Sequence, residues 1–545
     1  MKGSLLKRGL AALAAFAVGL GGLALGVGSA NAVAPQLGTS ITLTGSDNQL
    51  ANSTKFRVLK IASFTANEDG TVTVTTVDDV LETVKSVEPV KTSYTGAATA
   101  YGDPIRWLST QNEAAWRTFA DGLAITTVAT SATVKTGAYK SSADANRSDK
   151  KATLQFTGLE AGLYLLTDAN GSVAGVTQSL PILVGTKIGT TGSDVLTHAT
   201  GEVEVKNTPI PLEKTIVENN KDVDEATKGV GDTVSYKITS QIPDTSKFTS
   251  PDENGNKYMF KFTDTLSKGQ AYQAGTLTVK VGTQTLTKGT NYTTTPTINS
   301  DGKAQQTITI DMSDYVYTAG KSKDTGQGEI ITITYDAKLT ADATSGSTGN
   351  QNKVQLEYSN NPNKITDHGT VDDKTKVYTY DFEFTKVDGN NDPLAGATFT
   401  IYTDAKYTTP VQRDGKALTA TSTLVDGKAV VKFAGLDEGT YYVKETGVLS
   451  GYQDLGVKFK VEIKQNADKS ATITFTNETA GLGSSLVQIS NDKAVLVVKN
   501  ITNITQLPVT GGTGIAMFSV IGLLIAGVAV TVELRARATK RQLLA

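Results

Sequence analysis

The sequence predicts a mainly β protein built from three tandem immunoglobulin-like β-sandwich domains. Segments such as 71–75, 306–310 and 329–334 alternate polar and apolar residues, which is the period of a strand with one face in water. The chain of 545 residues is too long for one ordinary core, and one motif occurs twice. These observations favour tandem sandwiches over a single domain.

The amino-terminal segment has the organisation of a secretory signal peptide. Basic residues precede an apolar run over 10–27, and the run is followed by the small-residue sequence Ala-Asn-Ala at 30–32. This order of charge, apolar run and cleavage site is typical of export signals. A buried core helix is the alternative, and the terminal position and the cleavage site disfavour it. We therefore predict a signal peptide over 1–32 and a mature chain from Val33.

Two joints divide the mature chain. Prolines at 209 and 211 cannot donate hydrogen bonds to a neighbouring strand, and a charged stretch at 372–376 marks the second joint. We therefore predict an N-terminal domain over 33–207, a middle domain over 208–377 and a C-terminal domain over 378–504.

A repeated motif relates the first domain to the third. Residues 156–168 match residues 433–445 at most distinctive positions, so the two domains are predicted to be variants of one module. In the first domain, an amphipathic pattern over 110–123 predicts a helix. Its Trp116 and the nearby Trp107 are expected to pack in the core.

The composition argues against several function classes. A net charge of -2 gives no basic surface for nucleic acid. The absence of cysteine excludes disulfides and thiolate sites. The two histidines, His198 and His368, are far apart in the sequence, which disfavours a zinc site or a Ser-His mechanism. We predict no cofactor and no metal.

The carboxyl-terminal segment, 505–545, combines a short motif with a membrane anchor. An apolar run over 515–532 is long enough to cross a bilayer as a helix, and basic residues follow it, as is typical of a cytoplasmic end. An ordinary membrane anchor preceded by a chance motif is the alternative. The motif is Leu507, Pro508, Val509, Thr510 and Gly511.

Placed before a membrane anchor, this Leu-Pro-x-Thr-Gly motif resembles the cell-wall sorting signal of Gram-positive surface proteins. The resemblance implies that a sortase cysteine attacks the carbonyl between Thr510 and Gly511. Thr510 would become an acyl-enzyme, and the transmembrane helix and basic tail would stay behind. The chain would then be a substrate of sortase.

In the third domain, strand periodicity aims three polar groups at the core. Alternate side chains on a strand share a face, which places Lys386 in line with Phe382 and Phe384. The same alternation places Glu445 and Asn500 on apolar faces. Burying such groups unpaired is costly, and a salt bridge beside an amide is the simplest explanation of the pattern.

Segments 386–388, 393–399 and 441–446 resemble the collagen-adhesin B-type module. That resemblance implies an intramolecular isopeptide bond between Lys386 and Asn500, with Glu445 as the promoting acid.

The middle domain carries the same types of residue. Lys214, Asp264 and Asn352 each share a strand face with apolar residues, and Asn350 is the main competitor of Asn352. Segments 214–217, 230–234, 262–266 and 358–362 resemble the second domain of Gram-positive backbone pilins. This resemblance implies a bond between Lys214 and Asn352 that Asp264 promotes.

A third trio is predicted in the first domain. Lys60, Asp168 and Asn207 each share a face with apolar residues of their strands. Some relatives carry a bond in this domain and others lack one. A bond between Lys60 and Asn207, promoted by Asp168, and no bond at all both remain open.

Lys206 is predicted to face solvent. In the segment 201–207 the valines and Asn207 point one way, and Lys206 points the other. A solvated charge is the ordinary explanation of such a lysine. Backbone pilins, however, carry their polymerisation lysine at the end of the last strand of the first domain, usually after proline; here Val205 stands before it.

These resemblances imply the structural backbone subunit of a covalent surface pilus, or fimbria, that supports cell adhesion. Thr510 of one subunit would be joined to Lys206 of the next, giving a covalent homopolymer. The implied partners are pilin-specific and housekeeping sortases, accessory pilins, peptidoglycan and a host ligand. The location would be the cell wall after a membrane-held precursor stage.

Two alternatives remain open for this secreted chain. One is a monomeric wall-anchored adhesin that binds a host matrix protein or glycan, and the other is a basal or tip minor pilin. An enzyme is not predicted, because every polar cluster is explained by a single autocatalytic turnover.

Overall fold

The computed structural model describes residues 34–68, 72–144, 148–189, 201–295 and 301–507. The predicted signal peptide and the sorting signal from Pro508 onwards lie outside the described residues, as does the predicted membrane helix. Within the described ranges, no helix has both the length and the apolar character needed to cross a membrane.

The amino-terminal part of the described chain combines short sheets with helices. Its strands are β1 Gln36–Leu37, β2 Ile41–Gly45, β3 Lys55–Ala66, β4 Val72–Thr76, β5 Val134–Thr136, β6 Ala138–Lys140, β7 Ala152–Phe156, β8 Gly162–Asp168, β9 Ile182–Gly185, β10 Ile188–Gly189 and β11 Glu202–Glu204. Its helices are α1 Asp47–Leu50, α2 Asp78–Ser86, α3 Val90–Ser93, α4 Ala98–Tyr101, α5 Pro104–Leu108, α6 Glu113–Ala124 and α7 Thr127–Thr130.

The strands of this part pair as β11-β2-β7-β6 and as β4-β3-β8-β9, with β5 also on β3 and with β1 paired to β10. Strand β11 runs parallel to β2. The last strand of the first domain therefore lies beside one of its first strands. The joint with the middle domain follows directly after it.

Strand β3 is shared between two cores. Phe56 and Val58 pack in one apolar cluster and Phe64 packs in another. The pairing with β8 shifts between Lys60 and Ala62. Such a bulge re-aims the side chains of a strand, so the alternation of buried and exposed positions is interrupted near Lys60.

Helix α6 corresponds to the helix predicted over 110–123. It begins later than predicted, because the side chain of Asn112 caps it by accepting a hydrogen bond of 3.0 Å from the Ala115 amide. Its buried face contains Trp116, Phe119, Ala120 and Leu123. The expectation that Trp107 and Trp116 pack in the core is also met.

The middle part of the chain is a sandwich of two sheets. Its strands are β12 Leu212–Glu218, β13 Lys221–Val223, β14 Glu225–Thr227, β15 Thr233–Gln241, β16 Phe260–Leu266, β17 Gln270–Tyr272, β18 Thr278–Val281, β19 Gln284–Thr285, β20 Thr293–Thr295, β21 Gln306–Asp311, β22 Ile330–Leu339, β23 Asn350–Asn361 and β24 Lys364–Tyr378, with helix α8 Ser313–Ala319. The sheet orders are β13-β12-β15-β22-β18-β19, with β17 on β22, and β14-β24-β23-β16-β21-β20.

The alternating segments predicted from sequence correspond to strands here and in the first domain. β4, β21 and β22 cover nearly all of them. On β22 the buried residues Ile331 and Ile333 alternate with more exposed threonines. The inner faces of both sheets pack into one apolar cluster, which is the layered arrangement expected of a sandwich.

The last part of the chain is a second sandwich. Its strands are β25 Tyr380–Val387, β26 Thr398–Tyr402, β27 Gln412–Arg413, β28 Lys416–Ala417, β29 Thr419–Thr421, β30 Thr423–Val425, β31 Lys428–Leu436, β32 Gly439–Gly447, β33 Lys458–Gln465, β34 Ala471–Asn477, β35 Val487–Ile489 and β36 Leu496–Lys499, with 3-10 helices at Gly481–Leu486 and Ile504–Gln506. The main sheets are β30-β31-β25-β36-β35 and β29-β26-β32-β33-β34.

The successive parts are joined by direct hydrogen bonds. The Tyr358 hydroxyl donates to the carbonyl oxygens of Val173, at 3.0 Å, and Val176, at 3.2 Å. At the other joint only Thr379, which is fully buried, separates β24 from β25. The backbone therefore passes between the two sandwiches without a flexible linker.

Removing the Phe119 ring tests the packing of the first core. We expect Phe119→Ala to lower the free energy of unfolding by about 3–5 kcal/mol, because the ring is fully buried and its loss leaves a cavity. Urea unfolding followed by tryptophan fluorescence measures this, since both tryptophans lie in the first domain. Thr118→Ala, on the exposed side of the same helix, is the control. Equal unfolding midpoints for the two variants would contradict the assignment.

Candidate functional site

The middle sandwich contains a fully buried ion pair. Lys214 on β12 and Asp264 on β16 are both excluded from water, and the Lys214 Nζ lies 3.0 Å from Oδ1 and 2.9 Å from Oδ2 of Asp264. The two strands belong to opposite sheets. The pair therefore crosses the core of the sandwich.

A tyrosine connects this pair to the predicted asparagine. The Tyr335 hydroxyl on β22 accepts a hydrogen bond of 3.2 Å from the Lys214 Nζ. It also accepts one of 2.5 Å from Nδ2 of Asn352, which lies on β23. Lys214, Asp264 and Asn352, each predicted from sequence, thus meet around a fourth side chain.

Asn352 and its competitor Asn350 have different surroundings. Asn350 is engaged structurally, since its Oδ1 accepts from the Thr344 amide at 2.8 Å and its Nδ2 donates to the Thr344 carbonyl at 3.0 Å. The Oδ1 of Asn352 is buried without a hydrogen-bond partner among the described residues. An unpaired buried acceptor is costly, so the Oδ1 of Asn352 lacks the kind of structural hydrogen bond that engages Asn350.

Burial favours the uncharged form of the lysine. It lowers the pKa of Lys214, and the negative charge of Asp264 opposes that shift. Rings of Tyr236 and Tyr335 also lie close, with centroids 4.9 and 5.2 Å from Nζ. An amine kept in such surroundings is a better nucleophile than a solvated ammonium group.

The third-domain trio also meets inside the core. Lys386 on β25 is fully buried, and its Nζ donates to the carbonyl oxygens of Val387 and Val498 at 3.4 and 3.5 Å. Glu445 on β32 and Asn500, just after β36, are nearly as buried. Nδ2 of Asn500 donates to Oε1 of Glu445 at 2.7 Å.

The two ionisable groups of this trio are shifted toward their neutral forms. Burial lowers the pKa of Lys386, and the Glu445 charge opposes the shift. Burial raises the pKa of Glu445, and the Lys386 charge and the Asn500 hydrogen bond oppose that shift. A neutral amine and a protonated acid are the forms that attack on the amide requires.

The trio predicted in the first domain is not assembled. Lys60 is partly exposed and pairs with Glu160, whose Oε2 lies 2.6 Å from Nζ. Opposite Lys60 on β8 is Tyr164, whereas Asp168 is opposite Phe56. At about 3.4 Å per residue, Asp168 is displaced by roughly 14 Å along the strand.

The physical reason is the register of β3 on β8. Pairing is regular from Phe56 to Lys60, which leaves Asp168 opposite Phe56, and the bulge begins only after Lys60. Strand periodicity gives the face of a residue but not the residue that lies opposite it on the next strand. Of the two alternatives left open for the first domain, this geometry favours the absence of a bond between Lys60 and Asn207.

Asp168 and Asn207 have other partners. Asp168 accepts hydrogen bonds from the amides of Asn170, at 2.8 Å, and Ser179, at 3.1 Å, and burial raises its pKa while these bonds oppose the shift. Nδ2 of Asn207 donates to the Gln49 carbonyl at 3.0 Å. Asp168 fixes the loop that contacts the middle sandwich, and Asn207 fixes the end of the first domain.

Lys206 projects from a fixed backbone. Its side chain is exposed, whereas those of Val205 and Asn207 are buried, in agreement with the predicted alternation. The Val205 amide donates to the Thr44 carbonyl at 2.9 Å, and the Lys206 carbonyl accepts from the Leu180 amide at 3.3 Å. The lysine is thus presented to solvent at a defined position.

Only the first residue of the predicted sorting motif, Leu507, is among the described residues. It follows the 3-10 helix Ile504–Gln506 and packs against the third-domain core. Pro508, Val509, Thr510 and Gly511 lie outside the described residues.

Tyr335 is the site residue that sequence reasoning missed. It follows Ile331 and Ile333 at alternate positions of β22, and all three are buried. The same periodicity that placed Lys214 in the core would therefore have placed this tyrosine there. Its contact with both Lys214 and Asn352 depends on pairing between distant strands, which the local pattern does not contain.

Comparison with known families agrees with this architecture. Residues 230–362 match the family described as "Gram-positive pilin backbone subunit 2, Cna-B-like domain". Residues 380–479 match the SpaA family, described as "Prealbumin-like fold domain". The fold and the two buried trios thus define a protein with tandem β-sandwich domains. The middle sandwich is similar to a Gram-positive pilin backbone domain and the last one to a prealbumin-like domain.

A curated relative is the trypsin-resistant surface T6 protein of Streptococcus pyogenes serotype M6. It is 27% identical over 271 residues, which are 46% of this chain and 45% of the relative. The match therefore spans less than half the length of that protein.

Solved structures with some likeness to this chain include two pilins. The T6 backbone pilin of Streptococcus pyogenes serotype M6 has a TM-score of 0.47 and 17% identity, covering 86% of this chain and 93% of its own. The major pilin SpaD of Corynebacterium diphtheriae has a TM-score of 0.41 and 18% identity, covering 85% and 97%.

The stability of the unlinked third domain is expected to depend on pH through Glu445. In an Asn500→Ala variant, which has no amide to react, a raised folded-state pKa means that the folded state binds more protons than the unfolded one above about pH 4.5. The third-domain melting temperature should therefore fall as the pH rises through the folded pKa. Calorimetry of the ectodomain measures it.

The control is the double variant Asn500→Ala with Glu445→Gln, in which this carboxyl is absent. Its third-domain melting temperature should not fall as the pH rises over the range in which that of the single variant falls. Identical pH profiles for the single and double variants would show that Glu445 is not the titrating group.

Proposed function

We propose that the chain is the structural backbone subunit of a covalent surface pilus, or fimbria, on a Gram-positive cell. The observation that supports this most strongly is the pair of buried lysine, acid and asparagine clusters. One lies in the sandwich that matches a Gram-positive pilin backbone family, and the other lies in the sandwich that matches the SpaA prealbumin-like family. One-time crosslinking by these clusters accounts for buried charges that would otherwise be costly. No ligand pocket or exchangeable substrate is needed for that role.

In the third domain, the proposed reaction joins Lys386 to Asn500. The neutral amine attacks Cγ of Asn500, and ammonia leaves as the isopeptide bond forms. A half-turn of the Asn500 amide would place its Oδ1 where Nδ2 now meets Glu445, so that protonated Glu445 could polarise the carbonyl. Fixed proximity supplies the rest of the rate.

The middle domain would form the corresponding bond between Lys214 and Asn352. Asp264 holds the amine with both carboxylate oxygens and is the group that would take its proton. Each bond closes a loop of roughly 100 residues or more, and a covalent link of that length is worth about 4–5 kcal/mol by restriction of the unfolded chain.

Subunits would be linked to one another by a different lysine. We propose that a pilin-specific sortase joins Thr510 of one subunit to Lys206 of its neighbour, with the exposed and backbone-fixed Lys206 acting as nucleophile. A housekeeping sortase would attach the finished polymer to peptidoglycan, and accessory pilins would complete it. The signal peptide over 1–32 and the sorting segment over 505–545 would direct secretion and the membrane-held stage.

The proposed division of the mature chain supports this geometry. With domains at 33–207, 208–377 and 378–504, Lys206 lies at the end of the first and Thr510 just beyond the third. The middle and third domains would then separate the two linkage points of every subunit. A monomeric wall-anchored adhesin has the same domains and no use for Lys206, so the polymerisation test separates the two functions.

Intact mass tests the internal bonds. The soluble ectodomain should be lighter than its sequence by one ammonia per bond, two in all under this proposal. Asp264→Ala and Glu445→Ala should each prevent one of the two bonds, so that each variant lacks only one ammonia instead of two. Each should also lower the melting temperature of the affected domain. Asn352→Ala should behave as Asp264→Ala does, whereas Asn350→Ala, the matched control, should keep the Lys214 crosslink. A mass equal to the plain sequence would exclude both bonds.

Polymerisation tests Lys206. Immunoblots of wall extracts from a sortase-positive host should show a ladder of very large species for the wild type and for Lys91→Ala, an exposed lysine of the same domain. Lys206→Ala should give monomer. A ladder in the Lys206 variant would show that another lysine forms the linkage. Monomer in the wild type would favour the wall-anchored adhesin.

A further inference from the structure

The two crosslinking sites contact their asparagines differently. In the third domain the acid itself meets the amide, since Oε1 of Glu445 accepts from Nδ2 of Asn500. In the middle domain both carboxylate oxygens of Asp264 are engaged by Lys214, and the hydroxyl of Tyr335 meets the amide instead. Aspartate is one methylene shorter than glutamate, and the tyrosine spans the remaining distance.

We propose that Tyr335 is a catalytic residue of the middle-domain crosslink and carries a proton from the attacking nitrogen of Lys214 to the departing nitrogen of Asn352. Its hydroxyl is the atom that contacts both reacting groups, at 3.2 Å from Nζ and 2.5 Å from Nδ2. This inference rests on the proposed Lys214–Asn352 bond and assigns a residue to its chemistry.

The proton transfers balance. Asp264 first takes one proton from the Lys214 ammonium group, which leaves a neutral amine and a neutral acid. The amine attacks Cγ of Asn352 and forms a tetrahedral intermediate with an oxyanion. The attacking nitrogen of Lys214 then has two protons and a positive charge, and it must lose one of these protons. Tyr335 accepts that proton while giving its own to Nδ2, ammonia leaves, and the phenol is regenerated. The products are the secondary amide, protonated Asp264 and ammonia.

The surroundings of Tyr335 suit a relay rather than an ionised base. The side chain is almost wholly excluded from water. Burial raises its pKa well above the ordinary value, and the Asp264 charge adds to the shift. The phenol therefore keeps its proton until a neighbouring atom takes it, and simultaneous transfer avoids a buried phenolate.

A second tyrosine, Tyr236, also lies at the site. Its ring is near the Lys214 Nζ, and its hydroxyl donates to Oε1 of Gln270 and is hydrogen bonded to the Asn352 side chain. Of the two hydroxyls, that of Tyr335 also has a hydrogen bond with the Lys214 Nζ.

The experiment replaces one hydroxyl in the full ectodomain. Tyr335→Phe keeps the ring and removes only the oxygen, so the apolar packing is retained. Tyr258→Phe is the matched control, because Tyr258 is equally buried in the same core and its hydroxyl has no hydrogen-bond partner in the described part of the chain. The proteins are made by cell-free synthesis and denatured at intervals, and peptide mapping measures the linked fraction of Lys214 and of Lys386.

The relay predicts that Tyr335→Phe slows formation of the Lys214 crosslink by about 100-fold, the loss expected for a general acid or base. Formation of the Lys386 crosslink in the same molecules, and of both crosslinks in Tyr258→Phe, should match the wild type. A Tyr335→Phe protein that links Lys214 at the wild-type rate would overturn the proposal.

Two further measurements separate the possible failures. If the wild type has no Lys214 crosslink, the proposed bond itself fails, independently of Tyr335. If Tyr335→Phe lacks a cooperative unfolding transition, 3-fluorotyrosine at position 335 replaces it, since this residue keeps the shape and lowers the phenol pKa. A changed rate of Lys214 linking then supports the relay, and an unchanged rate overturns it.

Discussion

The exclusion of water from Lys214 and Asp264 is the constraint on which the middle sandwich depends. Two charges with no exposed side-chain surface are expensive to bury, and their mutual attraction offsets that cost only with good geometry and further hydrogen bonds. The apolar strands around them must therefore hold lysine, carboxylate, tyrosine and asparagine in one arrangement. Converting the amine and amide into a neutral covalent bond would remove much of this cost permanently.

The third domain meets the same constraint with different residues. Glu445 reaches Asn500 directly, and Lys386 hydrogen bonds to backbone carbonyl oxygens. In the middle domain the shorter acid contacts the lysine, and Tyr335 contacts the amide. In both domains a lysine and an asparagine from separate strands meet in a core that excludes water. The acid is an aspartate on the lysine in one domain and a glutamate on the asparagine in the other.

Regular strands are where the sequence was most informative. On β25 and β16 every second residue is buried, so the alternation placed Lys386 and Asp264 in the core before any contact was known. The same argument gave the outward direction of Lys206. It did not give the first-domain trio, because alternation does not tell which residues of two strands lie opposite each other, and Asp168 lies opposite Phe56 rather than Lys60. Tyr335 was missed because a buried tyrosine is ordinary until its distant partners are known.

The uninterrupted passage from β24 to β25 has a mechanical consequence when combined with the proposed bonds. Tension entering at Lys206 and leaving at Thr510 would cross from Lys214 directly to Asn352, follow the backbone through Thr379, and cross again from Lys386 to Asn500. The chain between each bonded pair would carry none of that tension. Fully extended, those segments would add several hundred ångströms to the length of each subunit, at about 3.3–3.6 Å per residue. With the bonds in place, this length could not be released while a filament is pulled.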